Sequence, residues 1–585
     1  MKYKILAIAV VILFSGFTAR AQQDNKDFAK FFSNYSEESY KLFPFNATSI
    51  GDNRYDDLLY ADFTNSYRAT LTEFYLHYLR ELSKFNRESL NKNDKISYDI
   101  FKRDMEIAIE GLGYKDNLTP FNQFTGMPLT IGQFGSGTVI QPFKTVKDYE
   151  NWLKRAARFS IWTDSAIVYF KKGMTEGIVL PKALVIKMIP QMESFVTTDT
   201  SKSVFYGPVR NMPASFDTAD KKRLTAAYVK LINEKLSPSY QKLADFLKNG
   251  YLAAARTTDG LSALPGGDKF YKYRIRLLTT TTKTPDELYN TGLSEVKRIR
   301  EQMEKIKMTV GFSGDLKAFF DYMRTDPKFK PYKTAEEVLD AYRAVEKRIQ
   351  PFMPKYFNHF PKTPFEIRQT EAFRAATAAA QYFAGTPDGT RPGIFYVPIV
   401  DATKYTTAKT NLFLHEAIPG HHYQISLQRE NANLPDFRRY GGNSAYAEGW
   451  GLYAESLGYE MGLYEDPYQK MYALGDEMHR AVRLVVDAGL HAKGWTRERA
   501  IKYMMDNEPI SEQGATAEIE RYMAMPAQAL SYKVGELKIK ELRNKYEKSL
   551  GKKFNLAAFH DELLKDGNMP LNILERKMDE WAKSF

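Results

Sequence analysis

A mainly α fold is predicted by three features of the chain. Apolar residues recur at helical spacing over most of its 585 residues, strand-type alternation is confined to one short run, and no fixed-period repeat interrupts the pattern. In chain order, residues 27–42 read as an amphipathic helix, closed by the Phe43-Pro44-Phe45-Asn46 break. Residues 66–85, 149–173, 220–247 and 285–308 follow as helices. Gly- and Pro-punctuated loops at 119–143 and 263–269 separate them, and the first is long enough to predict that it lines a cleft. Residues 393–400, β-branched and aromatic after Gly393, form the best strand, and Pro398 assigns it to a sheet edge. From Thr407 onward the pattern is helical again. The expectation is a large helical fold with a small β-sheet beside a cleft, formed by one continuous domain over 22–585 with room for two lobes.

The start of the chain reads as an export signal. Lys2 and Lys4 precede an apolar run at 5–17, and Ala19-Arg20-Ala21 supplies the small-x-small pattern before Gln22. That run is shorter than the roughly 20 residues that span a bilayer, so a cleaved signal peptide over 1–21 is expected rather than an anchor. No cysteine follows it, which excludes a lipoprotein anchor, and no later stretch approaches transmembrane length. The expected location is periplasmic or secreted. Removing Lys2, Lys4 and Arg20 lowers the formal charge of +12 by three. The remaining Lys and Arg are dispersed among Asp and Glu, which marks a solvated surface and argues against a nucleic-acid partner. With no cysteine anywhere, disulfides are ruled out and any metal site must use His, Asp and Glu.

Three of the eight histidines fall in His415-Glu416-Ala417-Ile418-Pro419-Gly420-His421-His422. Zinc hydrolases of the His-Glu-x-x-His type place two His one turn apart on one helix face, with the Glu beside the first positioned to take a proton from water. Here position 419 is Pro. On a regular helix of about 100° per residue His421 falls on the wrong face. His422 regains the face but rises about 10.5 Å, too far for one ion. A break is therefore required, and Pro419-Gly420 is where it is expected. Excising those two residues restores the His-x-x-x-His spacing with His421 as second ligand. His422 is the alternative, and whichever is not a ligand is left to support the site or touch substrate.

A third ligand must be a carboxylate or another His. In 445–455, Glu448 and Glu455 lie about 700° apart on a helix, hence on one face two turns apart. Zinc peptidases whose third ligand is Glu take it from a second helix packed across the first. Glu448 is assigned that role, with Glu455 orienting an imidazole.

With these residues in hand, the chain resembles the bacterial domain of unknown function 885 family, whose members are usually treated as metal-dependent peptidases or hydrolases. The motif at 415–422 and Glu448-Gly449-Trp450-Gly451-Leu452-Tyr453-Ala454-Glu455 carry the resemblance. Pro44-Phe45-Asn46-Ala47-Thr48-Ser49-Ile50-Gly51, residues 485–491, Glu520-Arg521-Tyr522 and residues 526–532 extend it along almost the whole mature chain. The resemblance implies a helical, zinc-peptidase-like fold holding one Zn2+ between His415, His421 and Glu448, with Glu416 as general base. Related peptidases use a Tyr or His beyond the third ligand to stabilise the oxyanion, which nominates His491 and Tyr532 as catalytic residues. Arg480, Arg483 and Arg521 could hold a substrate carboxylate or form structural ion pairs. The strand at 393–400 is expected to hold an extended substrate backbone, as edge strands do in helical zinc peptidases.

The expected function is hydrolysis of short peptides. Hydrolysis of non-peptide amides or esters by the same residues is the second reading, and an exported protein that holds zinc or peptide without turnover is the third. Glu416 argues against the last, because a purely structural metal site needs no base beside its first ligand.

Overall fold

The computed structural model describes residues 26–138, 140–370, 375 and 379–585, so the signal reading over 1–21 lies outside the described residues. The described chain falls into two compact units. One runs to Asp259 and includes Ala263–Gly267; the other comprises Gly260–Ser262 and Asp268–Phe585. No described helix is long and apolar enough to cross a membrane.

The first unit is helical throughout. Residues 26–42 are a helix, as the periodicity predicts, and Pro44–Ser49 follows as a short helix of its own. The helix expected over 149–173 is two, Val146–Ala157 and Phe159–Glu176, because the chain turns at Arg158. A reciprocal capping box between Thr145 and Asp148 fixes the start of the first. The loop expected over 119–143 contains a helix at Met127–Gly135. The core is aromatic, with Trp152, Trp162, Phe170, Tyr228, Tyr240 and Tyr251 all buried.

In the second unit, α1 (Pro285–Thr309) begins at a Thr284–Glu287 capping box. The strands are β1 (Phe365–Gln369), β2 (Gln381–Phe383) and β3 (Gly393–Val397). The helices that build the site are α2 (Thr410–Glu416), α3 (His421–Glu430), α4 (Ser444–Glu460), α5 (Pro467–Lys493) and α6 (Ser531–Leu550).

The sheet order is β1-β3-β2, with β3 parallel to β1 and antiparallel to β2. The strand read as an edge is therefore the central one. Pro398 carries no weight in the ladder because β3 ends at Val397. Both neighbours of β3 are already in place, so it has no free edge for a substrate backbone. The sheet rests on α2 instead: the rings of Phe365 and Phe395 lie 6.3 and 6.2 Å from that of Phe413.

Glycines set how closely the helices approach. A Cβ at Gly292 of α1 would lie 2.8 Å from Leu484 and Val485 side-chain atoms of α5. The crossing of α4 and α6 is tighter still, since a Cβ at Gly535 would lie 1.8 Å from the Ala445 carbonyl. Within α5, Asp487 is fully buried and accepts from the Tyr271 hydroxyl (2.6 Å) and the Ala527 amide. Burial pushes its carboxyl up to about 7 against those hydrogen bonds.

Two outcomes follow. Gly535→Ala is expected to lower stability by about 3 kcal/mol, read as a fall in the urea midpoint; an unchanged midpoint contradicts the close crossing. A buried carboxyl with a raised pKa favours folding while protonated, so its contribution is complete below about pH 4 and is lost as pH rises through about 7. Across that window the melting temperature of Asp487→Asn should gain steadily on the wild type.

Candidate metal centre

Helix α2 stops at Glu416, where Ala417 leaves helical geometry at φ −103°, ψ −106°. Residues 417–420 form a non-helical link with a cis Ile418–Pro419 peptide, and α3 starts at His421. The link folds against the end of α2 so closely that a Cβ at Gly420 would lie 1.9 Å from the His415 carbonyl and 2.2 Å from that of Leu414. The Trp450 indole N–H donates to the Pro419 carbonyl at 2.8 Å and pins it. The expected interruption is thus a full break between two helices. It turns the His421 ring to 4.6 Å from that of His415, at 82° to it.

From α4, Glu448 Oε2 lies 3.5 Å from Nε2 of both histidines. His415, His421 and Glu448 each present one ligand atom, all within 4.8 Å of one another. Two turns along the same helix, Glu455 Oε1 lies 2.8 Å from His415 Nδ1. The imidazole is therefore gripped at both nitrogens by one helix. Gly451, between the two carboxylates, makes room for it: a Cβ there would lie 2.7–2.9 Å from three atoms of the His415 ring. Glu455 is held in turn by the Asn411 amide at 3.1 Å and faces Arg480 at 3.7 Å. Asn411 also donates to Asp476 at 2.7 Å, which pairs with Lys409 at 3.0 Å.

Burial disfavours a charged His415, but hydrogen bonds to Glu448 and Glu455 outweigh it and carry the imidazole up to about 10. Burial likewise disfavours ionised Glu448, yet the two imidazoles hold its carboxyl well below the usual range. Glu416 is buried beside them, and there burial wins: its carboxyl is raised despite His421 and His415.

This donor set fits a zinc ion. Two imidazole nitrogens and a carboxylate oxygen, all within 4.8 Å of one another, are a zinc ligand set, and with Glu455 holding His415 at Nδ1 its Nε2 is the nitrogen that would face an ion.

His422 is not part of the cluster. Its Nδ1 lies 2.9 Å from the Tyr382 hydroxyl and 3.3 Å from Ser426, and its ring packs 4.6 Å from Phe365. Burial lowers it to about 4, so it is neutral and braces α3 against the sheet.

His491 departs from its expected role. It is fully buried, accepts from the Leu261 amide at Nδ1 (3.2 Å) and donates from Nε2 to the Tyr522 carbonyl (3.0 Å), which leaves no imidazole N–H for an oxyanion. Tyr532 is half-buried, with the Arg483 guanidinium 4.6 Å from its ring centroid. The three arginines are engaged within the protein. Arg483 and Arg521 pair with Glu518 at 3.0 and 3.3 Å, and Arg480 donates to the Asp476 carbonyl. Sequence reasoning missed Gly451, Asn411 and Asp476; a glycine midway between two carboxylates on one face was the available signal.

The sequence profile described as "Bacterial protein of unknown function (DUF885)" matches residues 44–578. The chain belongs to that family. No curated protein matches it. Among solved structures, a "putative lipoprotein" of Colwellia psychrerythraea is similar at TM-score 0.88 and 28% identity, over 96% of this chain and 100% of that one. A "putative lipoprotein of unknown function" of Shewanella oneidensis shares the fold at TM-score 0.73 and 21% identity, over 94% and 99% of the two chains. Membership of the DUF885 family thus fixes the fold and leaves the chemistry to be argued from the site.

Because Glu455 holds His415 at Nδ1, Glu455→Gln is expected to weaken the binding of added zinc about 10- to 100-fold, measured by competition with a chelating dye. An unchanged affinity removes Glu455 from the centre.

Proposed function

We propose that this chain is an exported zinc-dependent hydrolase of short peptides. The observation that carries the reading is the convergence of His415 Nε2, His421 Nε2 and Glu448 Oε2 on one point, with the buried carboxyl of Glu416 next in sequence to the first. A zinc ion held there supplies a Lewis acid that acidifies water and polarises a carbonyl. The chain supplies the rest. His415 is locked in orientation by Glu455, so its Nε2 stays aimed at the centre without reorganisation. Glu416, raised by burial, takes a proton at its carboxylate oxygen and returns it to the departing amine. The Tyr532 hydroxyl is the residue assigned to steady the developing oxyanion, in place of His491. Export rests on the basic, apolar and small-residue succession of the first 21 residues.

Metal analysis of the purified protein, joined to turnover of a mixed pool of short peptides, tests this reading. The wild type should carry one zinc, and Glu416→Gln should keep that zinc while losing about 10²- to 10⁴-fold in turnover. A wild type without bound metal, or a zinc-loaded Glu416→Gln with full turnover, refutes it. Cleavage of simple esters or non-peptide amides in preference to every peptide would retain the zinc chemistry and replace the substrate.

A further inference from the structure

The Pro44-Phe45-Asn46 motif has no part in the metal centre, yet it walls a recess of its own in the first unit. This recess encloses about 160 Å³ and is lined by Leu42, Phe43, Phe45, Tyr60, Asp62 and Met127, among others. Its walls are fixed from behind. The Phe45 ring packs 5.2 Å from Phe134 and lies under the guanidinium of buried Arg155, and Arg155 is itself matched by Asp56 at 3.7 Å. The Tyr67 hydroxyl donates to the Leu42 carbonyl, and its ring packs 5.4 Å from Tyr60. On the other side Gly126, at φ +126°, delivers Met127 to the lining; a Cβ there would lie 2.3 Å from Phe121.

A cavity of about 150 Å³ holds a benzene-sized body. Asp62 is the single ionisable carboxylate in this lining, and no ion pair joins it to a Lys, Arg or His among the described residues. Burial raises its carboxyl, and its own and the Phe63 amides oppose that rise. Aromatic faces attract cations in addition to apolar groups. A carboxylate without a counter-ion, set among Phe and Tyr rings around a ring-sized volume, selects positive charge joined to an apolar body. We propose that this recess binds a small primary amine with an apolar, ring-sized body.

Ligand-observed NMR titration of the full chain with 2-phenylethylammonium, neutral 2-phenylethanol and anionic phenylacetate tests the proposal. The ammonium compound should bind about fivefold more tightly than the alcohol, the size of one exposed ion pair, and the anion least. Asp62→Asn should reduce the ammonium affinity to that of the alcohol and leave the alcohol unchanged. Met127→Trp, which fills the recess, should abolish binding of all three. If Asp62→Asn does not fold, salt replaces it: raising ionic strength to about 0.5 M must shrink the preference of the wild type. The proposal is overturned if no probe binds, if ammonium and alcohol bind alike, if the preference survives both Asp62→Asn and salt, or if Met127→Trp leaves binding intact.

Discussion

The double grip of α4 on His415 is the constraint around which the centre is built. Glu448 meets one ring nitrogen and Glu455 the other, and the two carboxylates are seven residues apart on one helix. Seven residues is close to two turns, so both project from one face and bracket a ring placed between them. That placement demands an absence of side chain at Gly451. A helix with any other residue there would push the imidazole away and lose both contacts together. The grip therefore couples packing and chemistry: the missing Cβ that lets α2 approach α4 also decides which nitrogen of His415 faces the centre.

The same glycine logic reaches outward. Gly449, on the opposite side of the turn from the ring, allows α6 to cross α4 almost backbone to backbone, and Gly535 completes that crossing. Trp450, between these glycines, ties α4 to the link at Pro419. Three consecutive residues of α4 thus fix α6, the link and His415, so the helix that donates a ligand cannot shift without disturbing all of them. Charge is balanced in the same compact way. Glu455 is supported by Asn411 and Arg480, and Asp476 returns to Asn411 and Lys409. Two carboxylates around one imidazole require a positive charge at His415. A proton supplies it, and in the proposed zinc centre the ion would take that proton's place at Nε2.

Much of the site was legible from spacing alone. His415, Glu416 and His421 could be picked out because a regular helix fails for the motif and Pro419-Gly420 is the place to break it. Glu448 and Glu455 could be paired because their periodicity puts them on one face. Legibility failed wherever partners come from distant parts of the chain. His491 follows an apolar run and resembles a site residue, but backbone groups of Leu261 and Tyr522 claim its nitrogens. The strand at 393–397 was assigned to an edge by Pro398, which lies just past its end, and its neighbours Phe365–Gln369 and Gln381–Phe383 were not read as strands. The break at Arg158 and the helix at Met127–Gly135 were not read, although Pro128 in the first turn of the latter is a local start signal.

The sequence by itself determined the helical class, the absence of thiolate chemistry, the family and the residue types at the centre. These depend on composition and on spacing along one element, which the chain carries locally. Only the tertiary structure decided that the motif is two helices, that His421 rather than His422 meets Glu448, and that His491 is a brace. Each of those outcomes depends on which backbone or side chain arrives from elsewhere to occupy a nitrogen or leave a gap. For His415 the deciding feature is a gap, the missing Cβ of Gly451, which acquires meaning only when another helix lays a ring across it.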